Sequence, residues 1–366
     1  MSTGEHAPQQ PIEVGILGAT GMVGQQFIRV LDRHPWFKPT WLAASGRSEG
    51  KAYEDAVTWR LETPPPDDVR RMQVQACTPG QGPRLVFSAL DAAVAKDLEP
   101  AYAAAGHLVI SNTRTARMDP AVPLVIPEVN GDHLGLITRQ RRERGWTGAI
   151  VTNPNCSTVV IALVLAPLRQ FGLRSLMVTT LQAVSGAGYP GVPSLDILGN
   201  VVPAISGEEE KIESETQKIL GVYADDAVSA HSVVLSAQTT RVPVIDGHTA
   251  SLSVALDSRP SPDEVRSALR SFTGKPQDLG LPSAPKVPID VSDAPDRPQP
   301  RLDAGKGGGM TVTVGRVRPC PILGTKLVAM GHNTIRGAAG AALLNAELML
   351  ADGWVDCWRQ HPSERS

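Results

Sequence analysis

The pattern of apolar and polar positions in the first 150 residues predicts strands that alternate with helices. The apolar, β-branched run IEVGILGA is followed by TGMVGQQFIRVLDRH, where apolar residues recur at helical spacing. The runs TWLAAS, RLVFSAL and HLVISN predict further strands, and DAAVAKDLEPAYAAAG predicts a helix between the last two. Strands and helices that alternate in this way indicate a parallel sheet with right-handed crossovers, as in nucleotide-binding α/β domains.

From about Cys156 the pattern predicts a second, α+β unit. A buried helix, a strand SLMVTTLQAV, a glycine-rich loop SGAGYPGVPS and a helix GEEEKIESETQKILG follow one another. In that last helix Ser206 is the predicted N-cap, with Glu209 three residues on, Lys218 in the last turn and Gly221 just past the end.

Three later segments complete the predicted unit. The alternating runs TASLSVALD and MTVTVGRVR predict antiparallel strands. The proline-rich stretch 276–300 is predicted to be an irregular connection rather than a linker, because strand-like sequence resumes after GKGGG. The run NTIRGAAGAALLNAELMLADGW predicts a closely packed helix.

Composition narrows the function classes. A chain of 366 residues with 42% hydrophobic residues can bury a large core and is expected to form two domains. A net charge of −2 offers no general basic surface for nucleic acid or a membrane, so a small-molecule partner is expected. The first eleven residues, a predicted loose tail, lack a secretory pattern, and no apolar run reaches the roughly 18 residues of a membrane helix.

The four cysteines lie far apart in the sequence and form no Cys-x-x-Cys pair, which favours reduced thiols in the cytoplasm over a zinc site or a disulfide framework. Cys77, Cys320 and Cys357 are expected to be small hydrophobic side chains. Cys156 differs, because it stands between the turn residues of TNPN and a helix start. The helix dipole and its free N–H groups are expected to lower the pKa of this thiol and to hold a nearby oxyanion.

A glycine turn between the first strand and helix predicts a dinucleotide cofactor. Gly18, Gly21 and Gly24 form G-x-x-G-x-x-G, in which the backbone can approach a pyrophosphate at a helix N-terminus. An NAD-binding domain carries an acidic residue at the end of its second strand, but this chain has ASGRSEGK there. We therefore expect Ser45, Arg47 and Ser48 to bind the 2′-phosphate of NADP, whereas Lys51 is expected to be a solvated surface residue.

A thiol beside a nicotinamide cofactor suggests that an aldehyde and an activated acid interconvert through a thioester. The reaction needs a proton shuttle, since the oxygen of the intermediate gains or loses a proton. His248, at a strand entrance after a glycine turn, is the predicted shuttle, and His332 is its main rival. The residues alone predict an NADP-linked oxidoreductase with a catalytic thiol.

Five motifs in order identify a family resemblance. TNPNCST, LQAVSGAGYPG, EEEKIESETQKILG, RVPVIDGHT and GHNTIRGAAGA together resemble aspartate-semialdehyde dehydrogenase, in the branch typical of archaea and fungi. The resemblance extends from about residue 12 to about residue 350 and fails in the N-terminal tail and near 276–305.

The resemblance implies a role for each matching residue. Cys156 corresponds to the nucleophile, His248 to the acid/base and Gln182 to the residue that orients the acyl group. The substrate-binding residues that it implies are Arg241 for the α-carboxylate, Glu208 for the amino group, Lys211 and Arg117 for the phosphate, and Asn155. The cofactor-binding residues that it implies are Gly18, Thr20, Gly21, Met22, Val23, Gly24, Ser45, Arg47, Ser48, Ser88, Asn112, Ser185, Gly186 and Asn333.

The resemblance also implies a reaction and an organisation. NADPH would reduce L-aspartyl-4-phosphate to the semialdehyde with release of inorganic phosphate, at the branch toward lysine, threonine and methionine. The NADP-binding domain would span 12–153, completed by a C-terminal helix at 333–360, and the catalytic domain at 154–332 would form a homodimer or homotetramer.

Three alternatives remain open at this point. Malonyl-CoA reductase shares the scaffold, but the malonyl thioester has no acyl phosphate and the malonyl group has no amino group, so Glu208 and Lys211 favour the aminoacyl phosphate. N-acetylglutamyl phosphate reductase shares the architecture but not the motifs. A non-catalytic NADP-binding regulator would not need Cys156 together with His248.

Overall fold

The computed structural model describes residues 7–355, and within that range the chain contains two six-stranded sheets and one small hairpin. All strands of the first sheet are parallel, in the order β3-β2-β1-β4-β5-β6. These strands are β1 (Ile12–Leu17), β2 (Phe37–Ala44), β3 (Val74–Ala76), β4 (Leu85–Ser88), β5 (Leu108–Ser111) and β6 (Ala149–Thr152). The strand order reverses between β1 and β4, where doubly wound sheets bind nucleotides. The predicted Rossmann-type fold is confirmed.

Helices cover both faces of this sheet, so β4, β5 and β6 are buried at every position and consist of short apolar runs. The helices of this part of the chain are α1 (Met22–Leu31), α2 (Tyr53–Ala56), α3 (Asp67–Arg70), α4 (Ala92–Ala104), α5 (Pro127–Asn130) and α6 (Leu136–Arg144).

The second sheet is mixed, in the order β10-β7-β11-β14-β13-β12. The strands after residue 153 are β7 (Leu173–Gln182), β8 (Val222–Ala224), β9 (Ala227–Ser229), β10 (Val234–Arg241), β11 (His248–Leu256), β12 (Ile289–Val291), β13 (Val312–Cys320) and β14 (Gly324–Gly331). β11 and β14 are antiparallel to both of their neighbours, whereas β10 pairs with β7, and β12 with β13, in parallel. The expected α+β character is therefore confirmed.

The remaining helices connect and cover the two sheets. They are α7 (Cys156–Leu165), α8 (Ser194–Ile197), α9 (Glu208–Ile219), α10 (Pro262–Arg270), α11 (Lys275–Asp278), α12 (Pro300–Asp303) and α13 (Gly340–Ala351). α7 is apolar on all sides after its first turn and lies in the core of the second sheet. α13 packs in the core of the first sheet with Phe27 and Ile28 of α1. Within 7–355, no helix has the length and apolar character needed to cross a bilayer.

Two local predictions need correction. Ser206 does not cap α9; the N-cap is Gly207, at φ 64°, and Glu209 instead accepts a hydrogen bond from Thr239 N at 2.9 Å. The left-handed backbone suits glycine, and the neighbouring strand competes for the glutamate. The proline-rich stretch is more ordered than expected, since it includes α11, the edge strand β12 and the start of α12. The end of α9, with Lys218 in its last turn and Gly221 beyond it, is confirmed.

A buried ion pair fixes the segment that precedes α13. Arg336 lies in a π-helical turn, Ile335–Ala339, and its guanidinium donates two hydrogen bonds of 2.7 Å to the carboxylate of Glu128 in α5. Both side chains are fully buried. Because removing one partner would leave a charge without compensation in the core, this pair fixes the turn to α5.

Residues 1–6 and 356–366 lie outside the described range. Most of the predicted N-terminal tail, Cys357 and the last five residues of the helix predicted at 333–360 are therefore not described.

Candidate active site

The glycine turn forms a close-fitting cradle at the carboxyl end of β1. A Cβ at Gly18 would lie 2.5 Å from Ala89 O, and one at Gly24 would lie 2.3 Å from Gly18 O, so protein packing demands glycine at both positions. At Gly21, by contrast, the nearest atom would be 3.4 Å away, and this residue lines an open cleft at the N-terminus of α1. Glycine at this position leaves space for a ligand, as a pyrophosphate requires.

The cleft extends from the glycine turn over the end of β2 and has a volume of about 690 Å³. Three basic side chains line it, those of Arg47, Lys51 and Arg60. Arg60 lies over the ring of Tyr189, 3.6 Å from its centroid, so the loop after β7 closes one side of the cleft. Sequence reasoning assigned Lys51 to the surface and did not consider Arg60.

Several predicted cofactor residues meet in this cleft, and others lie behind its wall. The predicted residues that line it are Thr20, Gly21, Met22, Val23, Ser45, Arg47, Ser48 and Asn112. Ser88 is fully buried and lines no part of it; its carbonyl accepts a hydrogen bond from Asn112 N at 3.1 Å. Ser88 therefore supports Asn112 and presents no side chain to the cleft.

A second cavity, of about 500 Å³, continues from the cleft and contains Cys156. The two share Met22, Val23, Asn112, Ala187 and Gly188 as lining residues, so a ligand held at the glycine turn can reach the thiol. The wall of the Cys156 cavity also includes Ser185, Gly186 and Asn333. Asn333 connects two loops, because its amide donates to Ser185 Oγ at 2.7 Å and accepts from Gly247 N at 2.9 Å.

Cys156 is the first residue of α7, and His248 is the first residue of β11. The distance from Cys156 Sγ to His248 Nε2 is 3.2 Å. The other ring nitrogen, Nδ1, accepts a hydrogen bond from Ala183 N at 3.0 Å, so in the neutral ring the proton resides on Nε2 and faces the sulfur. His332 makes its hydrogen bonds to Thr334 instead. Geometry therefore favours His248 over its rival.

The expected low pKa of Cys156 is wrong for the protein without ligands. Enclosure by protein, and secondly the negative charge of Glu208, raise the pKa of this thiol to about 12, against the opposing effect of Arg117 and Arg241. Burial, Arg241 and His332 lower the pKa of His248 to about 3. The free site therefore holds a neutral thiol beside a neutral imidazole, because desolvation outweighs the helix dipole.

Two glycines allow other groups to approach the thiol and the imidazole closely. A Cβ at Gly337, in the π-helical turn, would lie 2.6 Å from the Cβ of Cys156. A Cβ at Gly186 would lie 2.9 Å from both Arg241 Nη1 and the His248 ring. Sequence reasoning missed Gly337, although a glycine inside a strong helical pattern signals a close approach.

A polar network surrounds the start of α7. Asn155 caps the helix, as its Oδ1 accepts from Ser157 N and Thr158 N at 2.9 and 3.2 Å. Its amide nitrogen donates to Glu208, which also pairs with Lys211 at 2.9 Å. Glu208 and Lys211, which are simple helix-surface residues by sequence position, thus both line the Cys156 cavity.

Arg117 lines the same cavity and is almost fully buried. Its guanidinium donates to Glu215 Oε1 at 2.9 Å and to Asn112 O at 2.8 Å. Its Nε is buried, with no hydrogen-bond partner among the described residues. A buried donor without a partner suits an anionic ligand such as phosphate.

Arg241 and Gln182 end two neighbouring strands, β10 and β7. Arg241 lines the cavity and donates to Ala183 O at 2.7 Å. Gln182 is buried, donates to Thr180 Oγ1 at 3.3 Å and does not line the cavity. The structure therefore brings Arg241 to the site and leaves the Gln182 side chain behind its wall.

Known proteins with related sequences share nearly the whole chain. The aspartate-semialdehyde dehydrogenase of Archaeoglobus fulgidus is 51% identical over 93% of this chain and 98% of its own. That of Cryptococcus neoformans is 50% identical over 95% and 100%. The chain belongs to the aspartate-semialdehyde dehydrogenase family. The resemblance predicted from five motifs, with its archaeal and fungal character, is thereby confirmed.

Family models and solved structures agree with this assignment. The semialdehyde dehydrogenase NAD-binding domain matches residues 13–137, and the semialdehyde dehydrogenase dimerisation domain matches residues 165–336. The Candida albicans aspartate-semialdehyde dehydrogenase, solved with NADP, superposes with a TM-score of 0.85 at 43% identity, covering 94% of this chain and 99% of its own.

The pKa of Cys156 leads to a pH prediction. Because the thiolate forms only as the pH rises through a raised pKa, the alkylation rate of Cys156 by iodoacetamide should increase about tenfold per pH unit from about pH 6 to 9. Mass spectrometry of the Cys156 peptide gives this rate. Cys320 is an internal control that should react faster at neutral pH, since the backbone N–H of Leu323 lowers the pKa of its thiol. A Cys156 rate that is already constant above about pH 6 contradicts the raised pKa.

Proposed function

We propose that the protein reduces L-aspartyl-4-phosphate to L-aspartate-4-semialdehyde with NADPH and releases inorganic phosphate, in the synthesis of lysine, threonine and methionine. The observation that carries this proposal is the position of Cys156, 3.2 Å from His248 and in a cavity continuous with the glycine-turn cleft. One ligand at the glycine turn and a second above the thiol can therefore react with each other.

The charges around the cavity match the proposed substrate. Arg241 is a planar, two-pronged donor suited to the α-carboxylate. Glu208 is a buried acid paired with Lys211 at 2.9 Å, and a substrate amino group can replace that cation and leave Lys211 to the phosphate. Arg117 and Lys211 then hold the phosphate. The malonyl thioester has neither an acyl phosphate nor an α-amino group, so this arrangement favours the aminoacyl phosphate.

In the acyl-transfer step, the Cys156 sulfur attacks the acyl carbon, a C–S bond forms and the C–O bond to phosphate breaks. The thiol proton leaves on a phosphate oxygen, since in the neutral ring His248 Nε2 already carries a proton. Arg117 and Lys211 stabilise the charge that collects on the departing phosphate. Asn155 already accepts from the N–H groups of Ser157 and Thr158, so the backbone N–H of Cys156 is the group at the start of α7 that stabilises the acyl oxygen.

For the reductive step, NADPH held in the cleft of Gly21, Ser45, Arg47 and Ser48 would supply the hydride. A substrate carboxylate on Arg241 offsets the positive charge that helps to lower the pKa of His248. The ring keeps its proton on Nε2, 3.2 Å from the sulfur. This N–H stabilises the sulfur as the C–S bond breaks, solvent supplies the proton that completes the thiol, and the semialdehyde is formed.

The cofactor assignment is supported by the cleft. Gly21 leaves space for the pyrophosphate at the N-terminus of α1, and Arg47, with Ser45 and Ser48, lines the far end where a 2′-phosphate would lie. No acidic residue follows β2 directly, which removes the usual ligand of the NAD ribose.

An exposed apolar face on the second sheet supports a homo-oligomer. Met177 and Leu181 of β7 and Val234 of β10 are 56%, 42% and 66% exposed. The family's dimerisation domain spans these strands, so we assign the face to a second copy of the chain, in a dimer or tetramer. Sedimentation that finds only monomer would contradict this.

The domain boundaries and the location of the protein are also proposals. Residues 12–153 would form the nucleotide domain with the C-terminal helix of 333–360, as the packing of α13 against α1 supports. Residues 154–332 would form the catalytic and dimerisation domain. A cytoplasmic location fits a reaction that depends on a reduced thiol.

The reverse reaction tests the function. Wild-type protein with L-aspartate-4-semialdehyde and phosphate should reduce NADP, and the rate is followed by the absorbance of the NADPH that forms. Cys156→Ala should lower the rate by about 10⁴-fold or more, because the covalent route is lost. Cys320→Ala, which alters a thiol at the end of β13, should retain it. A wild type that instead acts only with malonyl-CoA, or binds NADPH without turnover, contradicts the proposal.

A further inference from the structure

We propose that Glu215 is a positioning residue that fixes the phosphate-binding guanidinium of Arg117 relative to the nucleophile of α7. This inference rests on the function proposed above and adds a residue to it. Glu215 itself lines neither cavity, and its position inside α9 gives no sign of such a role in the sequence.

The two oxygens of one carboxylate hold two parts of the site. Glu215 is 1% exposed. Its Oε1 accepts from Arg117 Nη1 at 2.9 Å, and its Oε2 accepts from Asn155 N at 2.6 Å. Asn155 directly precedes Cys156, so one side chain connects the arginine of the phosphate site with the residue beside the nucleophile.

The contacts of Arg117 determine which of its atoms face the ligand. Glu215 and the carbonyl of Asn112 occupy one hydrogen on each terminal nitrogen. Each terminal nitrogen carries a second hydrogen, and Arg117 lines the cavity. The two bonds fix the plane of the guanidinium and leave a donor for the anion.

The same helix also holds the backbone of the Arg117 segment. Lys218, one turn after Glu215 in α9, donates to the carbonyls of Arg117, Asp119 and Val122 at 2.7, 2.8 and 2.8 Å. Because Lys218 already anchors the main chain, Glu215 is left with the orientation of the Arg117 side chain. α9 thus carries Glu208 and Lys211 at its start and the supports of Arg117 near its end.

Two possible roles of Glu215 predict opposite effects of its neutralisation on phosphate binding. If Glu215 only offset the positive charge of Arg117, its neutralisation would free that charge and phosphate would bind more tightly. If Glu215 orients the guanidinium, its neutralisation weakens phosphate binding. A glutamine keeps the shape of the side chain but points an N–H₂ group at one of two donors, so one bond is lost.

The experiment compares wild type, Glu215→Gln and Glu347→Gln in the phosphate-dependent reduction of NADP. Glu347 is a matched control, since it is a fully buried carboxylate that accepts from Ser283 N and contacts His34, away from both cavities. In Glu215→Gln the KM for phosphate should rise roughly 10- to 100-fold, as expected for loss of a charge-assisted bond, while the KM for NADP stays within about twofold. Glu347→Gln should change neither KM.

A double variant shows whether Glu215 acts through Arg117. In an Arg117→Gln background, Glu215→Gln should raise the KM for phosphate no further. If Glu215→Gln does not fold, Glu215→Asp replaces it, and its shorter side chain should raise the same KM because it cannot reach both donors. An unchanged or lowered KM for phosphate, or equal rises in both KM values, overturns the inference. A wild type without phosphate-dependent activity overturns the proposed function itself.

Discussion

Asn155 connects the nucleophile to the side chains that surround the substrate, because its polar groups point in three directions. Its side-chain oxygen caps α7, its side-chain nitrogen donates to Glu208, and its backbone nitrogen donates to Glu215. Two carboxylates of α9 are thereby held at the start of α7. These contacts between α7 and α9, two helices that are far apart in sequence, set the relative positions of Cys156, the Glu208–Lys211 pair and Arg117.

The same enclosure determines the electrostatics of the thiol. A helix N-terminus favours an anion by about 0.3–1 kcal/mol at an exposed site, which is less than the cost of placing a thiolate among buried groups next to Glu208. The free protein therefore keeps Cys156 and His248 neutral. Substrate binding changes this balance, since its carboxylate compensates Arg241 and its phosphate can accept the thiol proton. We infer that the site becomes reactive when the substrate is present.

Much of the fold was predictable from local patterns in the sequence. The alternation of strands and helices, the glycine turn and the mixed second sheet were predictable from short periodic runs, because each run is buried in a regular way. The N-cap of α9 was not predictable, because it depends on the left-handed backbone of Gly207 and on the hydrogen bond that draws Glu209 to a neighbouring strand. The ordered part of the proline-rich stretch was missed as well, since its edge strand β12 has only three residues.

The candidate site was predictable where one motif contains both the residue and its context, as with Cys156 and the glycine turn. Glu215 and Arg60 were not predictable, because each acquires its role from a contact with a distant segment. For Gln182 the prediction and the structure differ: its motif matches the family, but its side chain does not line the cavity.

Intact mass spectrometry tests most directly whether Cys156 carries the acyl group as a thioester. Wild-type protein is mixed with L-aspartate-4-semialdehyde and NADP in the absence of phosphate, so that oxidation proceeds but release by phosphate does not. We expect one aspartyl group per chain, located on Cys156 by peptide analysis and removed when phosphate is added. No adduct while NADPH is formed, or an adduct on another cysteine, would contradict the account.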